Sequence, residues 1–407
     1  MAYDKLFQYY AHEQFLPTFG NFENAKRLAQ YAEARRTVFA EKLLLPIQIF
    51  NGANVLEFGP DTGENALVFA QWGANLTLAE PNLRAHGQIQ QYFERFGLND
   101  RLLSLRTDDI EGFSSAEKYD LIDAEGFIYT VQPTSLWLSA FSRNLKPGGY
   151  AVVSYYETRG TFIELVLKAI HSSCKVLTSL APEPAAAKLY QTKWDSIPHT
   201  RAFASWVRDV LENPFVRLRY FLDASELCRL ANDHDFELHS SWPLYRDALD
   251  IYWHKKALSA DENLHRNIRH LQRSPISFLA GQKIYLVGNA EDVEISTALV
   301  DALVADVDVL IEDPFGGHLP SLLTGLKKLR QSIRTANILV DDPKAIDDFE
   351  ALLDALEQIF GAIQRRDIGE ILSLTNSNPS FIAAWGMPTH FLVLRKRFVA
   401  APEASSI

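Results

Sequence analysis

Apolar positions recur at two different intervals along this chain, and the change of interval predicts its elements. In residues 1–50 they return every three or four residues, which predicts N-terminal helices. In residues 51–155 short apolar runs alternate with helical stretches. Strands are predicted at Ala53–Phe58, Asn75–Glu80, Leu102–Thr107, Tyr119–Ala124 and Tyr150–Tyr155. This alternation implies right-handed crossovers and a doubly wound, mostly parallel α/β sheet.

The pattern changes again beyond the fifth strand. Residues 156–222 are helical and aromatic-rich, which predicts a helical cap inserted above the sheet. Residues 223–256 return to the core as a helix and a strand. Residues 257–407 alternate once more and predict a second, smaller α/β lobe, with strands at Lys283–Val287, Val307–Ile311 and Asn337–Val340. A last strand, His390–Arg397, fits either that lobe or the main sheet.

Composition narrows the class of protein. A chain of 407 residues is too long for one ordinary core. Its net charge of −11 argues against nucleic acid as the partner, since phosphate binding needs a basic face. The two cysteines cannot form a disulfide framework, and no Cys/His cluster has metal-ligand spacing. With no signal peptide or membrane span in the pattern, we expect a cytoplasmic protein, and homo-oligomerisation is left open.

The segment most informative about chemistry is Val55–Asn65, in which a buried strand runs into a glycine turn that opens a helix. Ligands of doubly wound sheets bind at the carboxyl ends of the strands. Gly59 and Gly63 let the backbone approach a ligand, and the helix start offers free N–H groups. The spacing is not the G-x-G-x-x-G of dinucleotide-binding folds, which disfavours an NAD-dependent oxidoreductase.

This segment resembles the E/D-x-G-x-G-x-G turn of class I, Rossmann-like S-adenosylmethionine-dependent methyltransferases. The resemblance implies S-adenosylmethionine as cofactor, with Glu57, Gly59 and Gly63 around its methionine part. Glu80 ends the second strand, where the acidic residue of the family binds the ribose hydroxyls. Asp108 follows the third strand, where the Asp of the family meets the adenine amino group.

Two later segments match the same template, and one position departs from it. Tyr119–Glu125 corresponds to the strand whose end faces the transferred methyl group, and Leu145–Gly149 to the turn before the fifth strand. The middle glycine of the family turn is Asp61 here. Its side chain either crowds or repels the cofactor, points away, or pairs with the methionine ammonium, since Asp tolerates unusual φ angles.

The methyl acceptor is less defined than the cofactor. The N-terminal helices, cap and tail resemble the long methyltransferases of bacterial surface-glycan synthesis, which implies O-methylation of a small polar acceptor such as a sugar or glycan precursor. A protein N-methyltransferase and a non-catalytic cofactor-binding scaffold are the alternatives. An oxygen nucleophile needs a base, and residues at or after strand ends that should face the pocket include Tyr155, Tyr156 and Glu157. The candidate catalytic residues from the same set are Asp123, Glu125, His171 and His199.

Overall fold

The computed structural model describes residues 9, 22, 24–198, 202–246, 258–335 and 337–398. The chain divides into two compact units. The sheet unit comprises the chain up to Tyr155, Ser225–Ile268 and the residues from His390 on. The helical unit comprises Tyr156–Ala224 and Arg269–Thr389. The segment predicted as a cap and most of the predicted C-terminal lobe therefore belong to one unit.

The sheet unit is built on a seven-stranded sheet of order β3-β2-β1-β4-β5-β9-β6. Neighbouring strands from β3 to β5 are parallel, whereas β9 runs antiparallel to β6. This confirms the doubly wound sheet, and the switch point lies between β1 and β4, where such sheets bind ligands. The strands are β1 Asn54–Phe58, β2 Asn75–Ala79, β3 Leu102–Arg106, β4 Tyr119–Ala124, β5 Leu145–Tyr156, β6 Phe236–Trp242 and β9 Thr389–Lys396.

Helices of the sheet unit follow the predicted alternation. They are α1 Ala25–Arg36, α2 Glu64–Gln71, α3 Leu83–Arg95, α4 Thr134–Asn144 and α8 Ala224–Asp233, while α9 Ala260–Gln272 begins in this unit. Short 3-10 turns lie at Ile47–Phe50, Asn99–Arg101 and Ile128–Thr130. The side chains of Asn24 and Asn82 accept backbone N–H bonds at the starts of α1 and α3, respectively.

An aromatic cluster fixes the N-terminal helix against α2. A π-helical turn, Thr37–Lys42, extends α1 and carries Phe39 into contact with Phe50, Phe69 and Trp72. The ring centroids of the cluster lie 4.9–5.9 Å apart, with Phe50 and Phe69 stacked. Rings of this size bury large apolar areas, so the cluster sets the position of α1.

The helical unit contains nine helices and a two-stranded antiparallel sheet within the described residues. The strands are β7 Ile284–Leu286 and β8 Ile338–Val340. The helices are α5 Phe162–Thr178, α6 Pro182–Trp194, α7 Phe203–Trp206, α10 Pro275–Ala280, α11 Ala290–Glu312, α12 His318–Thr335, α13 Lys344–Arg365, α14 Ile368–Ser377 and α15 Pro379–Ala383. A π-helical turn, Val207–Leu211, continues α7, and a 3-10 turn lies at Leu218–Tyr220.

In the C-terminal half, one predicted strand is wrong and the place of the last strand, left open by the sequence, is defined. The strand predicted at Val307–Ile311 is wrong, because those residues continue α11, whose buried positions recur at helical spacing from Val300 to Leu310. The last strand, β9, joins the main sheet rather than the tail. Long stretches of the helical unit separate β9 from its neighbours β5 and β6 in the sequence. No local sequence pattern therefore predicts this pairing.

Ion pairs join the two chain segments of the helical unit. Arg217 binds Asp308 of α11 at 2.8 Å, and Arg159 binds Asp301 of the same helix at 2.8 Å. These bonds and the apolar core shared by both segments explain why the segments form one unit. Both cysteines, Cys174 and Cys228, are buried and form no disulfide. No helix in the described ranges is long and apolar enough to cross a membrane.

Candidate active site

The turn after β1 has the backbone of a glycine-rich loop. Its φ angles are +62° at Gly59, +49° at Asp61 and +88° at Gly63, all in the left-handed region. A Cβ at Gly59 would lie 2.7 Å from the ring of Phe127, so glycine is required there on two grounds. Asp61 adopts the conformation that glycine adopts in the family turn, which Asp tolerates better than most residues.

Glu80 connects the end of β2 to this turn. One carboxylate oxygen accepts the Asp61 N–H at 3.1 Å, and the other accepts the Asn82 N–H at 2.7 Å. Burial raises the pKa of Glu80 to about 8, although the Asn82 N–H opposes the shift, and the Asp61 carboxylate adds to it. Each oxygen keeps a second lone pair, so the carboxylate can still accept bonds from a vicinal diol.

Three carboxylates and one guanidinium gather at the switch point. Glu57 at the end of β1 is the register partner of Asp123 on β4, and both side chains are buried. Glu125 follows β4 and is held by Arg35 of α1, whose Nη1 donates to its Oε2 at 3.0 Å and whose Nη2 donates to its Oε1. Neither carboxylate oxygen of Asp123 accepts a hydrogen bond, and Oε2 of Glu57 accepts none either.

This acidic cluster carries more negative than positive groups. Burial raises the pKa of Glu57 and of Asp123 well above the ordinary range, and the charge of Glu125 raises both further, against the lowering effect of Arg35. Buried carboxylates without partners are costly unless a cation joins them. The ammonium and sulfonium groups of S-adenosylmethionine are such cations, so the residues present fit this cofactor.

The remaining predicted residues lie in other surroundings. Asp108, after β3, pairs with Arg106 at 2.7 Å and remains partly exposed. His171 lies in α5 of the helical unit, where Nε2 contacts the carbonyl oxygen of Pro182 at 2.9 Å and Nδ1 lies 3.2 Å from Glu212. Both ring nitrogens thus have structural partners, which disfavours His171 as a base. His199 lies outside the described residues.

A second polar group lies at the sheet edge, and of its three members only Tyr155 was pointed to by the sequence. The hydroxyl oxygens of Tyr155 and Tyr245 lie 2.5 Å apart, and the Tyr245 oxygen lies 2.6 Å from Nδ1 of His390. All three side chains are buried in the sheet unit. Tyr155 is the penultimate residue of β5, Tyr245 follows β6, and His390 is the second residue of β9, which is antiparallel to β6. The three therefore meet at the edge where the carboxyl ends of β1 and β4 also lie.

Arg35 and the pairing of Tyr155 with Tyr245 and His390 were missed for the same reason. Their partners are distant in the sequence, and no motif spacing links them. Among the residues that the structure describes, no group of three or more His, Cys, Asp or Glu is arranged to hold a metal ion.

Comparison with known proteins identifies the family. A family model described as a methyltransferase domain matches residues 24–241, which is more than half of the chain. The chain therefore belongs to this methyltransferase family. The match, together with the doubly wound sheet, confirms the predicted class of enzyme, an S-adenosylmethionine-dependent methyltransferase. A search of curated proteins gives no match.

Several solved structures share part of the fold. A glycopeptide N-methyltransferase complexed with sinefungin is 16% identical with a TM-score of 0.27, over 32% of this chain and 56% of that one. The N-methyltransferase NodS from Bradyrhizobium japonicum WM9, bound to S-adenosylhomocysteine, is 20% identical with a TM-score of 0.28, over 38% and 74%. A magnesium protoporphyrin IX methyltransferase from Synechocystis PCC 6803 is 12% identical with a TM-score of 0.36, over 59% and 92%. This chain thus spans little more than half the length of the first of them, and these low scores carry no argument about the acceptor.

Proposed function

We propose that this methyltransferase transfers the methyl group to a hydroxyl oxygen of a small polar acceptor, such as a sugar or glycan precursor. The observation that carries the proposal is the hydrogen-bonded chain of Tyr155, Tyr245 and His390. An alcohol is a weak nucleophile until its proton leaves, whereas a neutral amine needs no such help. The sugar class itself rests on the resemblance of the sequence to glycan-associated methyltransferases.

The chain of hydroxyls supplies a route for that proton. When Nδ1 of His390 is unprotonated, it accepts from the Tyr245 hydroxyl, which in turn accepts from Tyr155. The Tyr155 oxygen is then an acceptor toward any third group. The acceptor proton would pass to Tyr155, that of Tyr155 to Tyr245, and that of Tyr245 to Nδ1 of His390. A bound S-adenosylmethionine would supply the methyl group, with the neutral thioether of S-adenosylhomocysteine as the leaving group.

Full burial of Tyr155 is compatible with this role. Glu57 and Glu80, the proposed cofactor residues, are each only 2% exposed, and Tyr155 is 0% exposed. These three side chains are thus shielded from water, which suits groups that take part in methyl transfer. We propose that Asp123 stays in the site as the second candidate for the proton acceptor, because Glu125 is held by Arg35.

The cofactor contacts complete the proposal. Glu57, Gly59, Asp61 and Gly63 would surround the methionine part, and Glu80 would bind the ribose hydroxyls. Asp108 remains a proposed adenine contact, at the end of β3. The cytoplasmic location also remains a prediction.

A protein amine is the second candidate acceptor. The Asp123 carboxylate and Oε2 of Glu57, which accept no hydrogen bond, would attract a lysine ammonium as well as the cofactor. The two candidates differ in the base they need. A sugar hydroxyl depends on the Tyr–Tyr–His chain, whereas a lysine substrate would depend on the acidic cluster.

The test is methyl transfer from methyl-tritiated S-adenosylmethionine to a pool of nucleotide sugars and, in parallel, to lysine-containing peptides. We expect label in the sugars. Tyr155→Phe, Tyr245→Phe and His390→Asn should each lower kcat by roughly 10²–10⁴-fold, with unchanged affinity for S-adenosylhomocysteine. Label only in peptides would replace the proposal with the second candidate. Full activity of Tyr155→Phe together with an inactive Asp123→Asn would move the base to Asp123.

A further inference from the structure

We infer that Arg35 binds the carboxylate of the cofactor's methionine part, so that α1 forms one wall of the cofactor site. The motifs of the sequence place the cofactor contacts at or after the strand ends, and none of them lies in α1. The inference rests on the cofactor and not on the acceptor class proposed above.

The guanidinium of Arg35 has a donor without a partner. The side chain is only 9% exposed, and Nη1 and Nη2 both donate to Glu125. Nε is buried and has no hydrogen-bond partner. A buried N–H left without an acceptor has lost its bond to water and gained none in return, which destabilises the site. An anionic group that reaches this nitrogen would remove that cost.

The charges around Arg35 match those of an α-amino acid. Arg35 is the cation that acts on both Glu57 and Asp123. A ligand carrying an ammonium and a carboxylate on one carbon could place the ammonium among the carboxylates and the carboxylate on the guanidinium. Neither an inorganic anion nor a simple amine would satisfy both sides of the cluster.

The start of α2 is a weaker candidate for the same carboxylate. Its first turn already holds the carboxylate of Glu64, which is buried and accepts from the Thr62 hydroxyl at 2.5 Å. A second carboxylate there would meet like charge. A helix start stabilises an anion less than a hydrogen bond from a charged donor does.

Contacts along α1 hold Arg35 in this position. One turn earlier, the Tyr31 hydroxyl donates to the side-chain oxygen of Asn65, in the first turn of α2, at 2.7 Å. One turn later, the guanidinium carbon of Arg35 lies 4.9 Å from the ring centroid of Phe39. Tyr31, Arg35 and Phe39 share one helix face, and the aromatic cluster anchors that face.

The test compares two ligands by calorimetry, S-adenosylhomocysteine and its decarboxylated analogue, which keeps the amine and lacks the carboxylate. Wild type should bind S-adenosylhomocysteine about 10- to 100-fold more tightly than the analogue. Arg35→Met should lose this preference by weakening S-adenosylhomocysteine alone. Arg36→Met is the matched control, because Arg36 is the next residue on α1 and pairs with exposed Glu33.

Glu125 would lose its partner in Arg35→Met, so the double variant Arg35→Met/Glu125→Gln removes both charges and protects the fold. It should also bind the two ligands with equal affinity. A wild type that does not distinguish the ligands would overturn the inference. Equal weakening of both ligands in the double variant would overturn it too, since the effect would then be structural. Neither result depends on finding the acceptor, so failure of the sugar assay is a separate outcome.

Discussion

Protonation of Glu80 should control binding of the adenosine part of the cofactor. The pKa of Glu80 is raised to about 8, first by burial, against the N–H bonds from Asn82 and Asp61. Ribose hydroxyls donate hydrogen bonds, so they bind the ionised carboxylate better than the protonated one. A proton and the ribose therefore compete for Glu80, and the affinity should rise with pH until the carboxylate is fully ionised.

The size of the effect follows from the pKa. If binding requires the ionised form, the apparent Kd is multiplied by 1 + 10^(pKa − pH). Relative to its limit at high pH, affinity should fall roughly twofold at pH 8, tenfold at pH 7 and 100-fold at pH 6. Residual binding to the protonated carboxyl would limit the fall at the acid end without changing its direction.

The assay should use 5′-methylthioadenosine, because this ligand keeps the ribose diol but lacks the amino-acid part of the cofactor. Titration of Glu57 and Asp123, which would contact that part, should therefore not affect its binding. Calorimetric affinities from pH 6 to 9 should follow this dependence in the wild type. Glu80→Gln should bind weakly with no such dependence, whereas Glu94→Gln, at an exposed position of α3, should match the wild type. Constant wild-type affinity across this range, or an unchanged pH dependence in Glu80→Gln, would refute the reasoning.

Three further predictions concern the turn and its support. Asp61→Asn and Asp61→Gly both remove a charge that raises the pKa of Glu80. Both variants should therefore move the pH midpoint of 5′-methylthioadenosine binding to lower pH. A shift in the glycine variant alone would assign the effect to the backbone. Gly59→Ala should lower both the thermal midpoint and the affinity for S-adenosylhomocysteine, because the new Cβ would meet the ring of Phe127. Gly52 also has a positive φ but lies beside open space, so Gly52→Ala should lose only stability, by about 1 kcal/mol. Phe50→Ala should cost about 3–5 kcal/mol in urea unfolding, and Phe50→Leu clearly less because Leu keeps most of the buried volume; equal losses would contradict burial as the main contribution of Phe50.

Local patterns were sufficient to predict the cofactor half of the sheet. Each of its strands carries an apolar run ending in a turn or an acidic residue, and successive strands lie side by side from β1 to β3. The turn from Gly59 to Gly63 could be predicted because its backbone conformation demands particular residue types at fixed spacing. Asp61 is the informative exception, since its positive φ shows that the turn is kept without the middle glycine.

Contacts between distant segments could not be predicted in this way. Arg35 meets Glu125 only because the aromatic cluster fixes α1 beside α2, and Arg35 itself belongs to no motif. The segment Val307–Ile311 shows the opposite failure, in which a β-branched apolar run favours a strand locally. There the helical spacing of buried positions along all of α11 outweighs local propensity.

The last strand shows why the family match alone does not define the chemistry of the site. The matched region ends at residue 241, near the end of β6, yet the sheet is completed by β9, which lies between β5 and β6. Its antiparallel direction brings His390, at its start, to the carboxyl end of β6 and within reach of Tyr245. A strand placed there for pairing thus also carries the terminal group of the proposed proton path. Chains that share only the matched residues would keep the cofactor turn without this base, so the acceptor chemistry has to be sought in the contacts of β9 as well as in the glycine turn.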